Sequence, residues 1–186
     1  MKYLIAGLGN IGAEYELTRH NIGFLTLDRL ADKEGFTFEN TRLAEKAEFK
    51  HKSRHIHLIK PTTYMNLSGK AINFWLQELK IPKENLLVLV DDIAIPFGNL
   101  RLRTKGSAAG HNGLKNIEQV TGGSNYSRLK MGIGDDYSKG KQVDFVLSPF
   151  TKKEFEELPF MMDKAIDMCL SFCTVGAVHT MNNFND

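Results

Sequence analysis

Two cysteines in 186 residues are too few for a disulfide framework. Cys169 and Cys173 stand four apart in a stretch with helical periodicity, and no second ligand pair accompanies them as a zinc site requires. A reducing compartment, the cytoplasm, is the expectation. No apolar run approaches the ~20 residues of a membrane span, so no membrane association is expected. The opening Met-Lys-Tyr-Leu-Ile is too short to read as a signal peptide and reads better as a first strand. No H-E-x-x-H pair and no G-x-S-x-G elbow occurs, which sets aside zinc-protease and nucleophile-elbow chemistry. The net charge of only +2 gives no global attraction to nucleic acid. There is no internal repeat, no low-complexity tract and no linker rich in Pro, Gly or Ser, so residues 1–186 read as one domain.

What is present is an alternation of strand and helix patterns. Residues 2–6 form a short apolar strand, and residues 22–33 carry apolar positions at helical spacing until Gly35. Residues 39–54 are charged and fit either a strand or a loop. Residues 55–60 alternate as a strand stopped by Pro61. Ser68 fits an N-cap for a helix running to residue 80, with Ile72, Trp75, Leu76 and Leu79 as its buried stripe. LLVLV at 86–90 suits a buried central strand. Residues 99–103 and 129–133 alternate as further strands, and 113–120 is a short helix. Residues 151–175 are largely helical, with Pro159 starting a second part. The expected fold class is α/β, with a central mixed, largely parallel sheet flanked by helices.

Gly7, Gly9 and Gly12 in YLIAGLGNIG spell G-x-G-x-x-G, the pattern of a dinucleotide loop. The context argues against an NAD(P) oxidoreductase. In a Rossmann unit the helix opens inside the motif and faces the pyrophosphate. Here the helical stripe begins only at Ile22, and Glu14 and Glu16 stand where a phosphate would sit. The glycines are expected instead to shape an exit turn that presents Asn10.

Polar groups cluster beyond the apolar strands. Asn10 follows the first, Met65 and Asn66 follow the second, and Asp91 and Asp92 end LLVLV. Ligands of open α/β sheets bind beyond the carboxyl ends of strands, so parallel strands would bring these residues to one crevice. His20, in Thr-Arg-His-Asn, is the candidate general base, and His111, in Gly-His-Asn-Gly, is its rival. His51, His55 and His57 lie in a region with no other chemistry and read as surface positions, and His179 is near the C-terminus. Between Asn99 and Lys115 stand Arg101, Arg103, Lys105 and Lys115 with no acid. Arg101 and Arg103 share one strand face, and the small-residue loop after them leads to a helix start. That combination suits a phosphate backbone.

Several stretches together resemble bacterial peptidyl-tRNA hydrolases: GLGNIGAEYELTRHNIGF, PTTYMNLSGKA, LLVLVDDIAIPFG, GSAAGHNGLK, NYSRLKMGIG and the terminal MNNFN. The resemblance implies a metal-free, cofactor-free, monomeric esterase. Its substrate would be peptidyl-tRNA, met at the acceptor stem and 3′ CCA end, and it would free tRNA from prematurely released peptides. Carried over by position, His20 would be the base and Asp91, in preference to Asp92, the acid that holds it. Asn10 would help tell blocked from free aminoacyl groups. Met65, Asn66 and Asn112 would line the peptide and ester site, and Tyr15 and Tyr64 would contact substrate. Arg101, Arg103, Lys105 and Lys130 would meet phosphates. Three positions depart from the family pattern: Ile11 where proline is common, Ala94 where an acid is frequent, and Lys130 where arginine is frequent. The last change keeps the charge and loses a bidentate contact. A non-catalytic RNA-binding module on the same scaffold is the alternative.

Overall fold

The apolar run LLVLV lies inside a strand, β5 (Leu86–Asp92), that continues through both aspartates. In the computed structural model, which describes residues 1–186, β5 has parallel neighbours on both sides, β1 (Lys2–Gly7) and β7 (Ser127–Gly132). A strand covered on both faces can be apolar at every position, which is why this one shows no alternation. Its side chains still divide by parity. Leu87 and Leu89 join one buried cluster, and Leu86, Val88 and Val90 join the other.

Beyond β1 lies β4 (Arg54–Pro61), again parallel. Antiparallel strands finish both edges: β3 (Ala44–His51) and β2 (Glu39–Asn40) on one side, β6 (Leu100–Arg103) on the other. The sheet order is β2-β3-β4-β1-β5-β7-β6. It is the expected mixed sheet, with four parallel strands at its centre. Helices α1 (Ile22–Glu34) and α5 (Lys152–Val175) cover one face, and α2 (Ser68–Glu78) and α3 (Asn112–Thr121) cover the other. The short α4 (Gln142–Val146) and α6 (Ala177–Phe184) complete the helices. The terminal residues cover the exposed edge of β6. The Asn185 amide bonds both the N–H and the C=O of Leu102, and Asp186 accepts from the Leu100 N–H.

The glycines of the opening motif act mainly by close approach. A Cβ on Gly7 would lie 2.5 Å from the Gly23 carbonyl oxygen, and a Cβ on Gly23 would lie 2.5 Å from the Leu8 nitrogen. Two missing side chains therefore let α1 sit directly on the end of β1. Only Gly12, at φ 115°, needs glycine for its backbone conformation.

Several local expectations are corrected. Residues 39–54 are neither one strand nor a loop but β2 and the hairpin of β3 with β4, turned by Lys52 and Ser53 at φ 45° and 67°. Pro61 is the last residue of β4, opposite Ala44, rather than its stop. Ser68 is the first residue of α2, not its cap, and its hydroxyl donates backward to the Met65 carbonyl at 2.7 Å. Pro159 lies inside an unbroken α5 rather than opening a second part. Burial of Leu158, Met161 and Met162 against the sheet carries that helix past the missing N–H. His57 is 3% exposed, not a surface histidine. Burial, and the ammonium of Lys46 beside it, push its imidazole down to about 4.

Candidate active site

Because β1, β4 and β5 are parallel, their carboxyl ends open on the same side of the sheet. A cavity of ≈ 320 Å³ lies there. Asn10, Met65, Asn66 and Asp91 all line it, as parallel strands required. His20, Tyr64, His111, Asn112 and Lys130 line it too.

Asp91 is the centre of the arrangement. It is 5% exposed, and its two oxygens are divided between two histidines. His20 Nδ1 lies 2.8 Å from Oδ2, and His111 Nε2 lies 2.9 Å from Oδ1. The His111 tautomer follows from its other contacts. His111 caps α3, its Nδ1 accepting from the N–H groups of Gly113 and Leu114, so its proton sits on Nε2 and is donated to Asp91. Burial opposes ionisation of Asp91. The N–H groups of the two histidines, hydrogen-bonded to its oxygens, prevail and hold its carboxyl well below the usual carboxylate range. Burial likewise works to lower the His20 pKa, and the Asp91 charge and hydrogen bond reverse that, so the net shift is upward from 6.5. With Nδ1–H bound to Asp91, His20 keeps the lone pair of Nε2, which makes no hydrogen bond within the chain. Asp92 behaves differently. It accepts from the Ala94 N–H and lies 3.7 Å from the Lys130 ammonium, with no histidine contact.

Asn10 is held at three points. Asn21 accepts from the Asn10 N–H at 2.8 Å and donates to its carbonyl at 2.9 Å. The Asn10 side-chain oxygen accepts from the Met65 N–H at 2.7 Å. A backbone N–H can only donate, which turns the amide oxygen toward Met65, and the Asn10 Nδ2 makes no hydrogen bond within the chain. The Met65 N–H is presented by a strained neighbour. Tyr64 has φ 62° and ψ 162°, a conformation that only glycine adopts freely.

Arg19 was missed from sequence. It is 6% exposed and ties the His20 turn to the later chain: Nη1 donates to the Phe145 carbonyl, Nη2 to Glu154 at 2.9 Å, and the guanidinium stacks 4.1 Å over the Phe145 ring. It thereby fixes α4, whose Gln142, Val143 and Val146 wall the cavity. Its partners lie 126 and 135 residues away, so no local signal could have revealed them. Asn21 was missed for the same reason, although it adjoins His20.

The basic residues divide. Lys130 lines the cavity, and Arg101 is its cross-strand partner on β6, so the two cations share a face. Arg103 and Lys105 are exposed farther along, outside the cavity. Tyr15 does not line the cavity. It sits in the turn Ala13–Tyr15, half-buried.

A sequence profile described as peptidyl-tRNA hydrolase matches residues 4–186. The peptidyl-tRNA hydrolase of Cytophaga hutchinsonii is 56% identical over 185 residues, spanning 100% of this chain and 98% of that protein. That of Porphyromonas gingivalis is 54% identical, spanning 100% of both. The crystal structure of peptidyl-tRNA hydrolase from Acinetobacter baumannii superposes with a TM-score of 0.90 at 33% identity, covering 98% of this chain and 95% of that one.

Proposed function

This chain belongs to the peptidyl-tRNA hydrolase family, and on that premise we propose that its cavity hydrolyses the ester between a peptide and tRNA with His20 as general base. The enzyme is a hydrolase of the peptidyl-tRNA ester bond. The observation that carries the assignment of roles is the Asp91 carboxylate holding His20 Nδ1 at 2.8 Å inside the cavity. His20 Nε2 takes a proton from water as the water oxygen attacks the ester carbonyl. The imidazolium that forms is stabilised by Asp91. The proton then passes to the departing ribose oxygen, and the peptide leaves as a carboxylic acid. An ester is already activated, so a base, a water and amide donors suffice. General-base action contributes ~10²–10⁴-fold, and each oxyanion donor ~10²–10³-fold. Asn66 and Asn112 are the amides available to the carbonyl.

Asn10 gives the site its preference for blocked substrates. Its free Nδ2 is a neutral donor on a rigid support. A peptide carbonyl satisfies such a donor, whereas a free α-ammonium brings a charge that finds no acceptor there. The tRNA acceptor end lies on the cationic face of Lys130 and Arg101 and continues over Arg103 and Lys105. Tyr64 touches substrate at the cavity mouth. Tyr15, outside the cavity, meets substrate only beyond the ester.

The decisive assay compares peptide release from an N-blocked aminoacyl-tRNA with release from the same tRNA bearing a free amino group, with no metal added. Cleavage of the blocked substrate alone is expected. Binding of tRNA without cleavage of either would make the chain an RNA-binding module.

A further inference from the structure

A second polar cluster lies on the β3–β4 hairpin, on strands outside the cavity. His55 and His57 project from the same face of β4, and Glu48 stands directly opposite His57 on β3. One carboxylate oxygen, Glu48 Oε2, lies 2.9 Å from His55 Nε2 and 3.2 Å from His57 Nδ1. All three atoms lie within 4.8 Å of one another.

The protonation pattern follows from a fourth residue. The Lys46 ammonium is 3.1 Å from His57 Nδ1 and 3.6 Å from Glu48 Oε2. An ammonium can only donate, so His57 Nδ1 carries a lone pair. The His57 side chain is 4% exposed, and its Nε2 is buried without a partner, so Nδ1 is its one polar outlet. A lone pair, a carboxylate oxygen and a second imidazole thus stand together beside a cation that already meets two of them.

We propose that Glu48, His55 and His57 form a binding site for a divalent transition-metal ion of the zinc type, in which the Lys46 ammonium is the resident competitor. Two imidazoles and one carboxylate are a donor set that suits Zn²⁺ and not the all-oxygen preference of Mg²⁺ or Ca²⁺. At bonds of about 2.05 Å, the separations of 2.9 and 3.2 Å subtend roughly 90° and 100° at the metal, angles that zinc accepts. Lys46 is on a flexible stem and can withdraw, whereas the histidines are fixed by strand register. His57 pairs with Leu4, near the start of β1, so the ion would sit toward the amino ends of the parallel strands, opposite the catalytic side. It would clamp the β3–β4 hairpin and take no part in ester hydrolysis.

Zn²⁺ titrated by calorimetry into the full-length protein, after chelator treatment, tests this. One saturable site is expected, together with a Zn²⁺-dependent rise in Tm. His55→Ala, at a side chain 35% exposed and so tolerant of truncation, should weaken binding about tenfold or more and abolish the Tm rise. Lys46→Gln should tighten binding. His20→Ala should leave the zinc affinity unchanged. The absence of a saturable site in both the native protein and Lys46→Gln would overturn the proposal. So would binding that survives His55→Ala, or binding lost in His20→Ala, which would move the ion to the His20, Asp91 and His111 cluster.

Discussion

His111 donates its Nε2 proton to Asp91 while its Nδ1 caps the first turn of α3. One imidazole thus orients a buried carboxylate and starts a helix, and the helix backbone sets the tautomer that makes the first role possible. The two roles can be separated. His111→Ala should lose both, costing about 1 kcal/mol for the cap. His111→Asn should restore the cap and its stability, yet kcat should stay reduced by about tenfold, because Asp91 lacks its second donor. Urea denaturation beside single-turnover kinetics reads the split.

His20→Ala should lower kcat by about 10²–10⁴-fold while leaving tRNA affinity nearly unchanged. The far-UV spectrum must remain native. Joint loss of binding and folded signal would make His20 structural.

In its proposed role as general base, His20 must be unprotonated. Asp91 raises its pKa above 6.5 against the opposing effect of burial, so kcat/KM should fall as pH drops through a midpoint above 6.5. Asp91→Asn removes the raising charge and leaves burial, which moves the midpoint down and lowers the plateau. A pH–rate profile of both proteins checks the sign. An unmoved midpoint would assign the acid limb to another group.

Arg101→Ala combined with Arg103→Ala should weaken tRNA binding and reduce the salt slope of log K by up to about two units. Binding measured between low and moderate salt decides it. An unchanged slope removes these arginines from the phosphate track.

Gly23→Ala places a Cβ 2.5 Å from the Leu8 nitrogen and 2.8 Å from the carbonyl oxygens of Leu8 and Leu89. None of these backbone atoms can yield without shifting β1 against β5. A loss of about 1–3 kcal/mol is expected in urea denaturation. A fall in kcat should accompany it, because the His20 turn leads directly into α1.

The opening glycines show how far sequence reading reached. Their misfit to a dinucleotide loop was legible, because the helix starts too late and Glu14 and Glu16 intervene. Their main use was not legible. Close packing of Gly7 on Gly23 depends on two segments meeting, and neither segment contains the other. The same holds for His57, which looks exposed in a charged stretch and is buried because β4 lies inside the sheet, between β3 and β1.

Sequence alone determined the α/β class, the strand ends that carry polar residues, and His20, Asn10 and the Asp91–Asp92 pair as candidates, the preference for Asp91 coming from the family resemblance. Those readings rest on periodicity and short motifs, which are properties of neighbouring residues. Tertiary structure alone decided that Asp91 serves His20 and His111 together, that Asn21 and Arg19 hold the site, and that Tyr15 stands apart from the cavity. His20 and Asp91 are 71 residues apart, and Arg19 and Glu154 are 135 apart. Contacts over such separations are set by strand order and helix packing, which depend on burying the whole core at once and leave no trace in any local pattern.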